Sequence, residues 1–381
     1  MKGFSKRTDS IQEYYFSQKL KEVNQLREEG KPIINMGIGS PDLPPHPSVI
    51  EALYQSSLLP TSHGYQGYQG IPALRSAYAD FYQRHYGVSL LADTEILPLL
   101  GSKEGVMHIS MTFLDEGDQV LVPNPGYPTY ASVTKMLLAD PVYYDLKPQN
   151  NWYPDFEELE KMDLSKVKLM WVNYPHMPTG AKADLKVFEM LIAFGKKHHI
   201  VIVNDNPYSF VLEDNPKSIF QIEGAKEVAL ELNSLSKTSN MAGWRVGFVS
   251  GKSEWISAIT KVKSNMDSGM FLGIQQGAIA AMSLGKDWYD GLNEIYSERR
   301  KLVWELGGKL GLEFERDTAG MFVWAKLPEG KKSVELVDDL LYNKSIFITP
   351  GHIFGSQGEG YVRFSLCVKE ESIKEAIKRI S

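Results

Sequence analysis

The sequence predicts an α/β fold: a large domain with a mainly parallel seven-stranded sheet sandwiched by helices, plus a smaller α+β domain. Seven short apolar runs alternate with segments of helical periodicity between residues 95 and 250. Runs such as Val201-Ile-Val203 are continuously apolar, which is typical of parallel strands that are buried on both faces. After residue 310 the pattern changes to short strands and two helices, which indicates the smaller unit.

The segment before the sheet is predicted to be helical, with loops rich in glycine between the helices. Residues 11–29 repeat apolar side chains near helical spacing until a glycine and a proline end the pattern. Residues 48–57 form a second predicted helix. Pro72 opens a third helix that extends to about His85, because proline is tolerated in a first helical turn.

The predicted strands of the large sheet are short and apolar. They span Glu95–Leu100, Gln119–Pro123, Pro141–Asp145, Lys168–Asn173, Ile200–Asn204, Val228–Leu232 and Trp244–Ser250. The helices predicted between them span Val106–Leu114, Tyr130–Ala139, Phe156–Lys161 and Asp184–His198. In such sheets ligands bind outside the carboxyl ends of the strands, so the residues that follow each strand are the candidates for a site.

The C-terminal third begins with residues 251–305, which are predicted to be mainly helical. Its long charged helix runs from about Tyr289 through Lys309, and residues 263–271 form a polar interruption before it. The remaining predicted elements are the strands Phe314–Arg316, Met321–Lys326 and Tyr361–Leu366, and the helices Val334–Asn343 and Glu371–Ile380.

Composition excludes several classes of function. The 381 residues are 43% hydrophobic and 23% charged, with a net charge of −6 and no long basic cluster, so nucleic acid is not an expected partner. The single cysteine, Cys367, cannot form an intrachain disulfide and fits a reducing compartment. The charged N-terminus is not that of a signal peptide, and no apolar run approaches the ~20 residues of a membrane helix. We therefore expect a cytoplasmic protein.

Lys237 is the centre of the most informative stretch. It follows a predicted strand in Ser234-Leu-Ser236-Lys237, and Arg245 lies eight residues further on. A neighbouring cation favours the neutral amine, which can attack a carbonyl and form a Schiff base. Hydroxyl groups and an arginine suit a phosphate, and pyridoxal phosphate (PLP) carries both a carbonyl and a phosphate. On this stretch alone, a surface lysine beside a structural arginine is an equal alternative.

Other polar and aromatic residues follow the ends of predicted strands. Gly101-Ser102-Lys103 joins a strand to a helix N-terminus, which is an anion site by backbone geometry, although a plain turn is the alternative. Tyr127 follows one strand, and Asp205 precedes Tyr208 by three residues after another. A carboxylate keeps a pyridine nitrogen protonated, a phenol bonds the ring oxygen and an aromatic ring stacks on its face. Read singly, Asp205 could cap a helix and Tyr208 could belong to the core.

Arg363 lies on an otherwise apolar predicted strand, and a buried arginine requires a carboxylate, either of a substrate or of an internal acid. The loop containing Gly37 and Gly39 lets backbone N–H groups approach a ligand, but a third glycine of a dinucleotide motif is missing. The sequence has no His-Glu-x-x-His and no Gly-x-Ser-x-Gly, so neither a metal site nor a serine hydrolase is expected.

Over nearly its whole length the sequence resembles the class I/II aminotransferases of the fold-type I PLP enzymes. The most specific motifs are Ser234-x-Ser-Lys237 with Arg245, Asp205-x-x-Tyr208 and Pro178-Thr-Gly180. The resemblance implies that Lys237 forms the Schiff base with PLP and carries the proton between the substrate and the cofactor. It implies cofactor contacts from Ser102, Lys103, Tyr127, Asp205, Tyr208, Ser234, Ser236 and Arg245, and contacts to the substrate α-carboxylate from Gly39 and Arg363. Tyr65 matches the tyrosine that reaches the phosphate of the neighbouring subunit, which implies a homodimer.

One position departs from the family pattern. Met177 precedes Pro178 where the family has an asparagine that hydrogen-bonds the ring oxygen of the cofactor, and a thioether accepts only weakly. We expect a higher pKa of the internal aldimine than in asparagine-bearing relatives, unless Asn173 or His176 replaces the contact. The run from Ser264 to Gly269 lacks the arginine of dicarboxylate-selective enzymes and resembles the branch of alanine and LL-diaminopimelate aminotransferases.

The resemblance implies ping-pong transamination between an L-amino acid and a 2-oxo acid, both small molecules. It also implies a large PLP-binding domain at 46–280 and a small domain formed by 1–45 and 281–381. A PLP-dependent C–S β-lyase or related lyase or synthase on the same scaffold is the alternative. A non-catalytic PLP or amino-acid sensor is less consistent with the sequence, because the lysine is intact and no DNA-binding module precedes the large domain.

Overall fold

The protein, described here by a computed structural model over residues 3–9 and 15–381, has the predicted α/β architecture. Twelve strands lie within these residues: β1 Ile34–Asn35, β2 Ile96–Leu99, β3 Gln119–Asn124, β4 Asp140–Asp145, β5 Val167–Val172, β6 Val201–Asp205, β7 Ala229–Ser234, β8 Gly247–Ser250, β9 Phe322–Lys326, β10 Ile346–Phe347, β11 Thr349–Pro350 and β12 Tyr361–Ser365. Within the same ranges, no helix is long and apolar enough to cross a membrane.

Fourteen α-helices connect these strands in the part of the chain that the structure describes. They are α1 Lys6–Asp9, α2 Tyr15–Glu28, α3 Pro47–Ser57, α4 Pro72–Tyr86, α5 Ser102–Phe113, α6 Thr129–Met136, α7 Phe156–Leu159, α8 Leu185–His198, α9 Leu235–Thr238, α10 Ser253–Lys263, α11 Leu272–Met282, α12 Lys286–Lys309, α13 Ser333–Lys344 and α14 Glu370–Ile380. The part of the helix predicted at 11–29 that precedes Tyr15 lies outside the described residues.

Seven strands form the large sheet in the order β2-β8-β7-β6-β5-β3-β4. All neighbours are parallel except β8, which is antiparallel to both β2 and β7. The register aligns Asp205 of β6 with Leu232 of β7, and Val172 of β5 with Asn204. The carboxyl ends of β5, β6 and β7 therefore meet at one edge of the sheet, where the sequence predicted a site.

Alternating strand residues face two separate layers of helices. Leu169 and Trp171 of β5 are buried in a cluster with side chains of α5, α6 and α10, whereas Met170 and Val172 belong to a second, larger cluster with side chains of α4 and α8. Because a strand turns successive side chains to opposite faces, this division shows that both faces of the sheet are covered.

The two ends of the chain come together at the first of two small sheets. β1 pairs in parallel with β10, so that Ile34 lies opposite Ile346. β9 and β11 flank β12 in an antiparallel sheet that aligns Arg363 with Trp324. α2 is held against this part of the chain because its Val23 is buried and its Glu22 accepts a hydrogen bond from Tyr342 of α13.

Several predicted elements differ from the structure; for example, α12 begins at Lys286 rather than near Tyr289, and α6 ends at Met136 rather than at Ala139. α5 begins at Ser102 rather than at Val106. β8 begins at Gly247, because Arg245 adopts a left-handed backbone conformation with φ +58° that cannot continue a strand. Residues 314–316 do not form a strand, and that segment pairs only through a single bridge between Glu313 and Lys326.

Candidate active site

A cavity of about 490 Å³ lies where the carboxyl ends of the parallel strands meet. Every residue predicted for the site except Tyr65 lines it. These residues are Gly39, Ser102, Lys103, Tyr127, Met177, Asp205, Tyr208, Ser234, Ser236, Lys237, Arg245 and Arg363. Residues that are up to 324 positions apart in the sequence, Gly39 and Arg363, thus line the same cavity, which the topology of a parallel sheet explains.

Lys237 is positioned by the turn that follows β7. The Ser234 hydroxyl accepts a hydrogen bond from the Ser236 N–H at 3.1 Å and caps the short helix α9 that carries the lysine. The Lys237 ammonium donates to the Gly39 carbonyl across the cavity. Burial lowers the pKa of Lys237, and Arg363 and Arg245 lower it further by repulsion. The amine is therefore prepared to act as a nucleophile or base.

Asp205 ends β6 and presents its carboxyl group to the cavity. Its Oδ2 accepts a hydrogen bond from the Tyr130 hydroxyl at 2.9 Å, whereas its Oδ1 is buried without a hydrogen-bond partner. Burial raises the pKa of Asp205 to about 6, against the opposing effect of the Tyr130 bond. A buried carboxylate oxygen without a donor is unfavourable, so this atom is suited to a cationic N–H group of a ligand.

Tyr130 is a site residue that the sequence did not reveal. It lies on α6, three residues after Tyr127, and its ring stacks on Trp171 of β5 with centroids 4.8 Å apart. Its ring meets that of Tyr127 edge-on at 5.5 Å. Tyr130 therefore orients the Asp205 carboxyl and also supports the ring that was predicted to stack on a cofactor.

The start of α5 and Arg245 form a cradle for an anion. Gly101 has φ +90°, and a Cβ atom there would lie 2.1 Å from Nη2 of Arg245, so only glycine lets the guanidinium approach. Gly247 permits a second close approach, that of β8 to the start of α5, since its Cβ would lie 2.5 Å from the Ser102 nitrogen. N–H groups at the start of a 12-residue helix thus lie beside a guanidinium group, which is the arrangement that binds phosphate.

Arg363 lies on the opposite wall, among aromatic rings. Its guanidinium donates to the Gly37 carbonyl at 2.8 Å and lies 3.2 Å from the Met177 sulfur. It also lies 4.0 Å from the ring centroid of Phe322 and 4.7 Å from that of Phe354. These contacts hold the guanidinium at the cavity wall, where a carboxylate can reach it.

Asn173 and His176 are the two side chains that could replace the asparagine contact missing at position 177, and each bonds to other groups of the protein. The Asn173 side chain donates to the Asp205 carbonyl and accepts from the Met177 N–H at 2.8 Å. His176 shares a hydrogen bond of 2.8 Å with the Thr179 hydroxyl through Nδ1. The Asn173 side chain is thus engaged with the backbone, whereas the second ring nitrogen of His176, Nε2, is buried without a hydrogen-bond partner. The phenol that lines the cavity is that of Tyr208. Burial raises its pKa, and the smaller opposing effect of Arg363 does not reverse this shift.

Tyr65 lies outside the cavity of its own chain. Its side chain is 96% exposed, in the loop between α3 and α4. Other lining residues were missed because nothing in a single sequence distinguishes them from core residues. They are Phe16, Ser17 and Leu20 of α2, together with Ile38, Tyr130, Pro207, Ala242, Phe322 and Phe354, whereas Asn173, which also lines the cavity, was named from the sequence as a possible replacement contact.

The chain matches a known protein family along nearly its whole length. The family model for aminotransferase class I and II matches residues 31–380. The chain belongs to this family. The chain is 39% identical to the LL-diaminopimelate aminotransferase of Dehalococcoides mccartyi strain 195, over 99% of this chain and 98% of that one. The apo-BacF structure from Bacillus subtilis superposes with a TM-score of 0.95 at 38% identity, covering 100% of this chain and 98% of that one. An aminotransferase structure from Staphylococcus aureus superposes with a TM-score of 0.90 at 32% identity, covering 99% of this chain and 98% of that one.

This protein is therefore an aminotransferase, and its predicted fold type is confirmed.

Next to the cavity, the aminotransferase has a group of possible metal ligands, Glu104, His108 and Asp267, whose ligand atoms lie within 4.8 Å of one another. Glu104 is hydrogen-bonded to His108 at 2.6 Å, and Asp267 is in contact with the buried ammonium of Lys263. A side-chain cation thus already balances this acidic group.

Proposed function

We propose that this aminotransferase uses pyridoxal phosphate, held in the cavity at the carboxyl edge of the sheet, to exchange an amino group between an L-amino acid and a 2-oxo acid. When bound, this cofactor supplies a carbonyl for covalent attachment and a pyridine ring that delocalises negative charge from the substrate. The observation that carries the proposal is the buried, unpartnered Oδ1 of Asp205, on the same cavity as the desolvated amine of Lys237.

Each cofactor group has a complementary surface. Asp205 would pair with the pyridine nitrogen, and Tyr208 with the ring oxygen. Tyr127 would cover one face of the ring. The N–H groups of Ser102 and Lys103 would bind the phosphate, together with the hydroxyls of Ser234 and Ser236 and the guanidinium of Arg245. These assignments rest on the common cavity and on the anion cradle that Gly101 and Gly247 permit.

Lys237 would move the proton during the reaction. Burial lowers its pKa and so favours the neutral amine, which would accept the proton from the substrate α-carbon and return it to the cofactor side. Arg363 and the backbone of Gly39 would hold the substrate α-carboxylate and so fix the direction of the Cα–H bond relative to Lys237. The carbonyl of Gly39 is already in contact with the Lys237 ammonium, which brings the two functions together.

The proposed assembly is a homodimer with shared sites. Tyr65 is almost fully exposed, as expected if its phenol serves the phosphate of a second copy. Exposed apolar residues nearby offer a surface for that copy: Ile50, Tyr54, Leu58, Leu59, Tyr68 and Met266. The pairing of β1 with β10 supports our proposed division into a domain at 46–280 and a second one that joins both chain ends.

A half-reaction panel tests the proposed function. The loaded protein is mixed with single L-amino acids, LL-diaminopimelate among them because relatives carry its name. Transamination predicts conversion of the cofactor chromophore to the amine form with one equivalent of 2-oxo acid, and continued turnover only when a second oxo acid is present. A lyase would instead release ammonia continuously without an oxo acid.

Lys237→Ala should lose both half-reactions, whereas Lys135→Ala, which removes an exposed lysine of α6, should keep them. Turnover that survives in Lys237→Ala would contradict the proposal.

A further inference from the structure

Part of the cavity wall has no role in the proposed cofactor and carboxylate contacts. This part is aromatic and aliphatic, and it is formed by Phe16, Leu20, Ile38, Phe322 and Phe354. An apolar wall of this kind favours an apolar ligand group, because each Å² of apolar surface removed from water contributes about 25 cal/mol. The wall is therefore suited to a hydrocarbon side chain.

The carboxyl end of α2 anchors the helix, and its amino end lies over the cavity. Val23 and Leu26 near the carboxyl end are buried in the core. Phe16 and Leu20 are one helical turn apart, so they lie on the same face, and both line the cavity. Lys19 between them forms an ion pair with Asp338 of α13 at 3.6 Å. α2 thus presents an apolar face to whatever occupies the cavity.

The position of Arg363 determines which part of a substrate meets this wall. The ring centroids of Phe322, Phe354 and Phe16 lie 4.0, 4.7 and 5.5 Å from the guanidinium carbon. A substrate whose α-carboxylate binds Arg363 has its side chain only two bonds away from that carboxylate. The side chain therefore begins among these rings.

The charge of the cavity wall also favours an apolar substrate side chain. Asp205 is the one carboxylate among the described residues that line the cavity, and it is bound to Tyr130 on the cofactor side. A distal ammonium group, such as that of diaminopimelate, would lose its hydration in this wall without gaining an anion from those residues. A phenyl or branched aliphatic group loses nothing by entering it.

We propose that the amino donor of this aminotransferase carries an apolar side chain, most favourably an aromatic one, and that Phe16 and Leu20 determine this specificity. The proposal rests on the proposed function, since it takes Arg363 as the anchor of the substrate carboxylate. It differs from the substrate in the name of the LL-diaminopimelate aminotransferases that the chain resembles.

Binding of carboxylates that have no α-amino group tests this without turnover. Titration calorimetry of the loaded protein would compare 3-phenylpropanoate, glutarate and 6-aminohexanoate. Each has one carboxylate for Arg363 and a different distal group. We expect 3-phenylpropanoate to bind at least about tenfold more tightly than the other two. Equal affinities, or tightest binding of 6-aminohexanoate, would overturn the proposal.

Variants of α2 locate the effect. Phe16→Ala and Leu20→Ala should each weaken 3-phenylpropanoate by about tenfold and leave glutarate within a factor of about two. Phe16→Leu should keep most of the affinity. Asn24→Ala, on the exposed face of the same helix, is the matched control and should change neither ligand. If Phe16→Ala weakened 3-phenylpropanoate and glutarate to the same extent, α2 would support the site without selecting between substrates, and the proposal would be wrong.

Failure of the specificity proposal can be distinguished from failure of the proposed function. Arg363→Lys should weaken all three carboxylates, whereas attachment of the cofactor to Lys237 is measured by a separate mass determination. If the cofactor attaches but no preference for 3-phenylpropanoate exists, only the specificity proposal fails. If the cofactor does not attach, the proposed function itself fails.

Discussion

Replacing Asp205 by asparagine should stabilise the cofactor-free protein while weakening its hold on the cofactor. Burial raises the pKa of this carboxyl from 3.8 to about 6, so folding with the group ionised at pH 7 costs about 3 kcal/mol. Asparagine is close in size and can still accept the 2.9 Å hydrogen bond from Tyr130, but it carries no charge. The substitution should therefore recover most of this cost.

The stability gained by Asp205→Asn should increase with pH. Because the pKa is higher in the folded state than in the unfolded chain, the folded state binds the proton more tightly. The wild-type group contributes its full stability below about pH 4, and this contribution is lost as the pH rises through about 6. The advantage of Asp205→Asn should thus be absent near pH 4, grow between pH 4 and 6 and stay constant above 7.

Urea unfolding of the cofactor-free proteins at several pH values measures the effect. The matched control is Asp115→Asn, which neutralises an exposed carboxylate and should change stability by less than about 0.5 kcal/mol. In parallel, the Asp205→Asn protein should bind the cofactor at least about tenfold more weakly, because the pyridinium loses its anionic partner. An asparagine variant that is less stable than the wild type at pH 7, or a gain independent of pH, would refute the electrostatic reasoning.

Three further substitutions probe the cradle and the ring contacts. Gly101→Ala should weaken cofactor binding by at least about tenfold, because the new Cβ displaces Arg245. The control is Gly117→Ala, which has a similar positive φ but no atom within 4 Å of its Cβ, and which should affect stability alone. Cofactor titration and urea midpoints of both variants distinguish a steric clash from backbone strain. Met177→Asn should lower the pKa of the bound chromophore by about one unit in a spectrophotometric titration, while Met177→Leu should leave it unchanged. Tyr130→Phe should cost about 1–1.5 kcal/mol of cofactor affinity by equilibrium titration, because it removes the hydrogen bond of 2.9 Å to the buried carboxylate.

The residues that follow strands could be predicted, because parallel strands bring their carboxyl ends to one edge whatever lies between them. Asp205 and Lys237 are examples: each was placed by the strand before it, and both line the cavity. Arg245 was assigned to a strand because its neighbours are aromatic and β-branched. Arg245 instead has a left-handed backbone, and its guanidinium packs against Gly101, 144 positions away; no local pattern reveals either feature.

The apolar residues of the site could not be predicted. Phe16 and Leu20 form the apolar stripe of an amphipathic helix, and such a stripe looks the same whether it faces a core or a cavity. Tyr130 reads as a core aromatic residue, because its hydrogen bond to Asp205 joins residues 75 positions apart. Residues 314–316 have strand-forming composition, but a strand also needs a partner along its length, and only Glu313 has one.

The most direct measurement is a mass determination after chemical reduction. Protein incubated with pyridoxal phosphate and treated with borohydride should carry one phosphopyridoxyl group per chain, located by peptide mapping on Lys237. The neighbouring Lys103, which also lines the cavity and whose pKa is likewise lowered by burial, should remain unmodified. Modification of Lys103 instead, or a chain that stays colourless and unlabelled, would contradict the assignment of the whole site.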